Sequence, residues 1–259
     1  MFYPVLDITK ILFFLALFSR IIGVFSTAPI LGAKVIPVQI KIVLSLIIAY
    51  LLFVLFPGEQ NMFANIKTIP YLFIIFSETI IGVLIGYVAM MIFTAIQFAG
   101  SIIDRSMGMM IASVIDPMSK ERQSLTGQLQ YIVSILLFLL FNGHHYIILA
   151  LANSFELLPI GTLHFSGSFI GTFMTIINNS FIIGLKLSAP IVGILFLIDF
   201  SLGIIAKSIP QMNVFLTGMP LKSMVGFTIL FSSFIYFGIF FGKIPGLTYQ
   251  NIIITLKQL

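Results

Sequence analysis

Long continuous apolar runs separated by short polar stretches organise this chain, and within the runs apolar residues do not alternate with a period of two. Continuous runs of this length predict helices. Six are expected, over residues 11–31, 42–56, 69–98, 129–152, 169–206 and 223–241. Pro29, Pro37, Pro57, Pro70, Pro117, Pro159, Pro210, Pro220 and Pro245 fall near a run's end or outside it. Pro190 lies inside the fifth run and is expected to kink or split it. As one helix that run would extend ~57 Å, against a hydrocarbon core of about 30 Å. The second run barely crosses. Such uneven lengths suit bent hairpins, or helices that leave the bilayer within a protein assembly.

Composition turns this pattern into a class. Hydrophobic residues make up 59% of the chain and mean hydropathy is +1.18. Charged residues make up 8%, where a water-soluble domain has about a quarter. Residues 123–155 contain no Asp, Glu, Lys or Arg. In hydrocarbon every backbone polar group must be satisfied within the element, which leaves helices or a closed barrel. With continuous runs, helices win, and the fold class is an all-α integral membrane protein. The net charge of +5 is dispersed, so no basic stripe points to nucleic acid. The absence of cysteine excludes disulfides and thiolate metal sites. The opening MFYPVLDITK lacks a basic stretch before its first apolar run, as expected of a retained first helix.

Loop charges suggest an orientation. With alternate crossing, one side holds Lys34, Lys41, Arg105, Lys120, Arg122, Lys207 and Lys222, and the other Lys10, Lys67, Lys243 and Lys257. The first side would be cytoplasmic and both termini outside. Small residues recur at four-residue spacing, Gly82 with Gly86 and Ser180 with Gly184 and Ser188. That spacing places them on one helix face, where backbones can approach closely.

Arg20, Glu78, Lys186 and Asp199 lie within or at the edge of apolar runs. A charge at membrane depth is costly unless paired or wet. On an unbroken helix Lys186 and Asp199 stand roughly 20 Å apart on nearly opposite faces, so each needs a partner on another helix, another subunit or water. Inter-subunit salt bridges within a complex are expected for all four, with a proton relay as the functional alternative. His144 and His145 follow Asn142-Gly143 at a turn or break inside the fourth run. Adjacent histidines diverge by about 100° on a helix, which suits a polar turn better than a metal centre. No Walker loop, GxSxG or HExxH motif appears. Neither catalytic residues nor a cofactor is expected.

Five stretches in order resemble the FliR family of type III export proteins, flagellar and virulence-associated. They are STAPILGAKVIPVQIKIVLSLIIAY (26–50), QFAGSIIDRSMGM (97–109) with Asp116-Pro117, FNGHHY (141–146) followed by LPIG (158–161), APIVGILFLIDFSLGIIAKSIPQMNVF (189–215), and GMPLK (218–222). The resemblance implies a non-enzymatic, pore-forming subunit of the flagellar export gate in the bacterial inner membrane, within the flagellar basal body. Implied partners are FliP-like and FliQ-like subunits, FlhB-like and FlhA-like export components, exported unfolded proteins and membrane lipid. It also implies inclined helical hairpins, with a FliP-like part over residues 1–165 and a FliQ-like part over 166–259. The joint would fall in LPIGTLHFSGS, 158–168, a short stretch rich in Gly and Ser.

The stretch 100–127 holds Asp104, Arg105, Asp116, Lys120, Glu121 and Arg122 together with Met107, Met109, Met110 and Met118. From the residues alone it is a polar connection with methionines tucked under neighbouring helices. The resemblance implies instead a plug that projects into the channel, formed by Met107, Gly108, Met109, Met110, Ile111, Ala112, Ser113, Val114 and Ile115. Flexible thioether side chains suit such a seal. Two other classes stay open. A virulence-system homologue shares every motif above, and a secondary transporter could use Lys186 and Asp199 beside the proline-interrupted fifth run.

Overall fold

A computed structural model describes residues 8–55, 68–109, 124–164, 166–209 and 213–259. The regular structure of these residues is helical: α1 Ile8–Thr27, α2 Val38–Leu55, α3 Thr68–Met107, α4 Leu125–Leu140, α5 Gly143–Leu157, α6 Phe169–Ser208, α7 Val214–Phe241 and α8 Ile244–Leu256. Four of them, α1, α2, α3 and α6, are long and apolar enough to cross a membrane, and up to six spans result if each broken helix pair counts once. The chain is an all-α membrane protein.

Four boundaries differ from expectation. The third run continues past residue 98 to Met107, because QFAGSIIDRSM keeps helix-compatible residues up to Gly108. Gly108 then stops α3 with φ 81°. Its N–H reaches Arg105 O at 3.1 Å and the Met109 N–H reaches Asp104 O at 3.0 Å. That is the Schellman ending a left-handed glycine allows. The fourth run breaks as expected, at Asn142, whose φ of 54° lies in the left-handed region that asparagine tolerates. Pro190 does not split the fifth run, since α6 is one helix of 40 residues. Pro220 lies inside α7 and not beside it. Ile244–Leu256, beyond the last expected run, form α8.

The chain packs as two compact units. The first comprises Met1–Met91, Asn142–Ile176 and Pro245–Leu259. Here α1 and α2 form a hairpin: Phe13 and Phe14 both meet Phe53, with ring centroids 6.0 Å apart. Only Ser45, Ala49 and Leu52 of α2 are buried, a narrow stripe that leaves the rest of its apolar surface uncovered. The first half of α3 packs tightly on α1. A Cβ on Gly82 would stand 1.9 Å from the Arg20 carbonyl oxygen, and one on Gly23 would stand 2.6 Å from that of Thr79. Nothing larger than glycine fits where these backbones touch. The chain's last residues fold back on the 158–168 stretch, where the His164 N–H donates to Leu259 O at 2.9 Å and the Ser166 hydroxyl to Gln258 O at 2.6 Å.

The second unit comprises Ile92–Phe141 and Ile177–Ile244. Phe93 of α3 packs edge-on against Phe138 of α4, with centroids 5.2 Å apart. Gly100 and Gly127 bring those two helices into backbone contact: a Cβ on Gly100 would lie 2.3 Å from Gly127 Cα. Gly184 of α6 faces the Ala95 carbonyl, and Phe98 meets Phe181 edge-on at 5.3 Å. Each unit draws on residues from both sides of position 165.

Candidate functional site

The first unit contains a buried charged centre. Arg20 of α1 and Glu78 of α3 are each fully buried, and the Arg20 Nε–H donates to Glu78 Oε2 at 2.6 Å. The rest of the guanidinium turns to the end of α5. Nη1 donates to Ser154 O at 2.9 Å and to the Ser154 hydroxyl at 3.2 Å. Nη2 donates to Leu158 O at 3.0 Å. The Phe155 ring lies beneath the guanidinium carbon, 4.3 Å from its centroid. Glu78 Oε1 accepts the Gly161 N–H at 3.0 Å. Gly161 can present that N–H because it adopts φ 80°.

Elementary chemistry explains the choice of residues. The carbonyls at a helix C-terminus lack intrahelical donors and carry partial negative charge. A planar guanidinium supplies several fixed donors at once, so one side chain neutralises Glu78 and closes the end of α5. Arg20 and Glu78 therefore find their charge partners within the chain, which corrects the inter-subunit pairing expected of them. Asp199 likewise pairs within the chain, with Lys222 of α7. Lys186 is exposed halfway along α6. Pro190 has no N–H to offer the Lys186 carbonyl four residues earlier.

A second buried polar cluster joins α3 to α4. Asp104, almost fully buried, accepts the Ser124 hydroxyl at 2.6 Å and the Thr126 N–H at 3.1 Å on one oxygen. Its other oxygen accepts the Thr126 hydroxyl. Ser124 is the N-cap of α4 and accepts the Gly127 N–H at 2.8 Å.

Of the residues assigned to the plug, Met107 ends α3 and is fully buried against Gly226 of α7. Gly108 and Met109 complete the helix ending. Met110, Ile111, Ala112, Ser113, Val114 and Ile115 lie outside the described residues. Of the small residues, Gly82 and Gly86 touch α1 and Gly184 touches α3. Ser188 is buried, with its hydroxyl on the Leu185 carbonyl at 3.0 Å, and Ser180 is half-buried. His144 and His145 lie ring to ring at 4.2 Å at the start of α5. Among the described residues no group of three His, Asp or Glu side chains could hold a metal ion.

Sequence reasoning missed Ser154, Gly161, Ser124 and Thr126, and named Asp104 without a role. Asp104 carried a usable signal: a lone carboxylate four residues before the glycine that ends an apolar helix, with Ser and Thr waiting at the next helix start. Gly100 and Gly127 also went unnoticed, because their partners lie on other helices and no four-residue repeat marks them, and Gly23 was missed although Ser19, Gly23 and Thr27 stand four apart.

The family of bacterial export proteins, family 1, matches residues 11–245. The chain is 34% identical over 220 residues to the flagellar biosynthetic protein FliR of Bacillus subtilis, covering 84% of each chain. It is 28% identical over 211 residues to FliR of Escherichia coli, covering 82% of this chain and 80% of that one. The Yop proteins translocation protein T of Yersinia pestis is 29% identical over 189 residues, with 71% and 72% covered. The family match spans both buried clusters and most of the helices, and the chain belongs to the FliR family of bacterial export proteins.

Proposed function

We propose that this chain is a structural, pore-forming subunit of the flagellar type III export gate in the bacterial inner membrane. In this reading it assembles with FliP-like and FliQ-like subunits, meets FlhB-like and FlhA-like components, and passes unfolded proteins. It catalyses no reaction itself. Residues 1–165 take the FliP-like place and 166–259 the FliQ-like place.

The observation that carries the reading is the match to flagellar FliR proteins along most of the chain. The surface supports it. α6 runs ~60 Å as one helix, about twice the hydrocarbon thickness, yet Ile170, Met174, Phe181, Leu197, Phe200 and Ile204 along it are all exposed. A face that long cannot be covered by acyl chains alone, so neighbouring protein must cover part of it. Lys186, at mid-face, then pairs with a carboxylate of a neighbouring subunit. Co-expression with FliP-like and FliQ-like subunits should give a defined particle, while the chain alone should not remain monodisperse in detergent. A stable, monodisperse lone chain that binds a small solute would instead support a transporter.

The plug belongs to the same reading, with Met107 as its root and residues 108–115 as its body. Deleting residues 108–113 should raise the ion conductance of resting membranes at unchanged particle yield. The match to the Yersinia pestis translocation protein T favours a virulence system as the second reading. Loss of motility on gene deletion, with secretion of virulence substrates unaffected, would decide for the flagellum.

A further inference from the structure

Between α1 and α2 the chain turns through a conformation that its residues resist. Ile30 adopts φ 69°, left-handed backbone that a β-branched residue rarely enters. The Leu31 N–H donates to Pro29 O at 2.8 Å. That bond closes a three-residue turn on Ile30, and at positive φ such a turn is the rare, strained form. Strain of this kind persists only where the surroundings impose it. On the α1 side they do. The Thr27 hydroxyl donates to Val83 O of α3 at 3.1 Å, and a Cβ on Gly86 would stand 2.1 Å from its oxygen. Ala28 and Pro29 are buried. On the α2 side the chain is open, with Lys34, Val35 and Pro37 exposed. There Lys41 Nζ donates to Gly32 O at 2.8 Å, which ties the end of the turn to α2 as one arm. Ile30 sits where the anchored half meets this arm.

We propose that Ile30 is the hinge of a sprung elbow, about which α2 swings off α1 as a rigid arm. The docked position is weakly held. α2 buries only Ser45, Ala49 and Leu52, two of them small. The Ser45 hydroxyl is fully buried and finds no hydrogen-bond partner among the described residues, an arrangement that costs stability. Phe53 against Phe13 and Phe14 supplies the aromatic contact. In hydrocarbon, parting two apolar faces forfeits close packing but meets no hydrophobic penalty. Strain released at Ile30 and a freed Ser45 hydroxyl are therefore set against a narrow packed stripe. A few residues that absorb a backbone change suffice for a hinge, and Ile30 already holds the conformation that a swing would relax.

The chain has no cysteine, so Ile11→Cys and Val54→Cys place two spin labels at exposed positions near the open end of the hairpin. The full chain, diluted with unlabelled chain in phospholipid vesicles, is measured by pulsed electron resonance for the distance between labels. Two separations should appear, one docked and one longer. Ile30→Gly and Ile30→Asn accept left-handed backbone without that strain, so both should deplete the longer separation several-fold. Ile30→Val keeps the β-branch and should leave the distribution as it is. Gly32→Ala should enrich the longer separation, because its Cβ would stand 2.7 Å from Ala28 O in the docked turn. A single docked separation in the native sequence would overturn the proposal. So would a longer separation whose share ignores both Ile30→Gly and Ile30→Asn. Gly and Asn differ in side chain and share only tolerance of this backbone, so opposite shifts in the two variants would also sink it.

Discussion

At the scale of single residues, the strongest commitment in the chain is the Arg20–Glu78 pair. Desolvating two charges is expensive, and attraction repays it only when the remaining donors and acceptors are filled. Ser154, Leu158 and Gly161 fill them. Removing one partner strands the other in a site it cannot leave. Glu78→Ala should therefore cost about 3–5 kcal/mol of stability, read from unfolding in detergent. Glu78→Gln, which can still accept the Gly161 N–H, should cost less. Arg20 and Glu78 were recognisable in the sequence as charges out of place. That they belong to each other was not, since 58 residues separate them and only the docking of α1 on α3 brings them together.

At the scale of elements, α4 turns most of its small and polar residues inward and many of its large apolar ones outward. In α4 the buried positions include Thr126, Gly127, Gln130 and Ser134, while Ile132, Leu136 and Leu140 are exposed. Where the surroundings are as apolar as a side chain, helix association comes from close packing and polar contacts. Gly127→Leu should consequently separate α4 from α3, with Gln97 O and the Ser124 side chain already within 3 Å of the added Cβ. Overpacking typically costs about 1–3 kcal/mol, and the shift should appear as a lowered Tm of the purified particle. Element existence was legible from continuous apolar runs. The ends were less so: helices α3 and α7 overran their expected limits, because a run's last apolar residue is not where hydrogen bonding stops.

At the scale of the whole molecule, apolar surface is left over. Nearly all of α2 and most of α6 remain uncovered within the chain. Where that surface extends beyond the ~30 Å that acyl chains cover, leaving it in water is costly, so the expected particle with FliP-like and FliQ-like partners is argued from this surplus as well as from family. The 158–168 stretch is also tied to segments far away in the chain. Its Gly and Ser content reads as a plain joint, yet Gly161 donates to Glu78 and Ser166 to the chain's end.

The sequence by itself determined the class, the helical content, the break at Asn142 and the family, since each depends on local composition or on ordered motifs. Only the tertiary structure decided which charges neutralise each other, that Asp104 ties two helices, and that Met107 is buried. The reason is geometric. Periodicity tells which face of a helix is special, but the neighbour that meets it is set by docking between segments far apart in the chain.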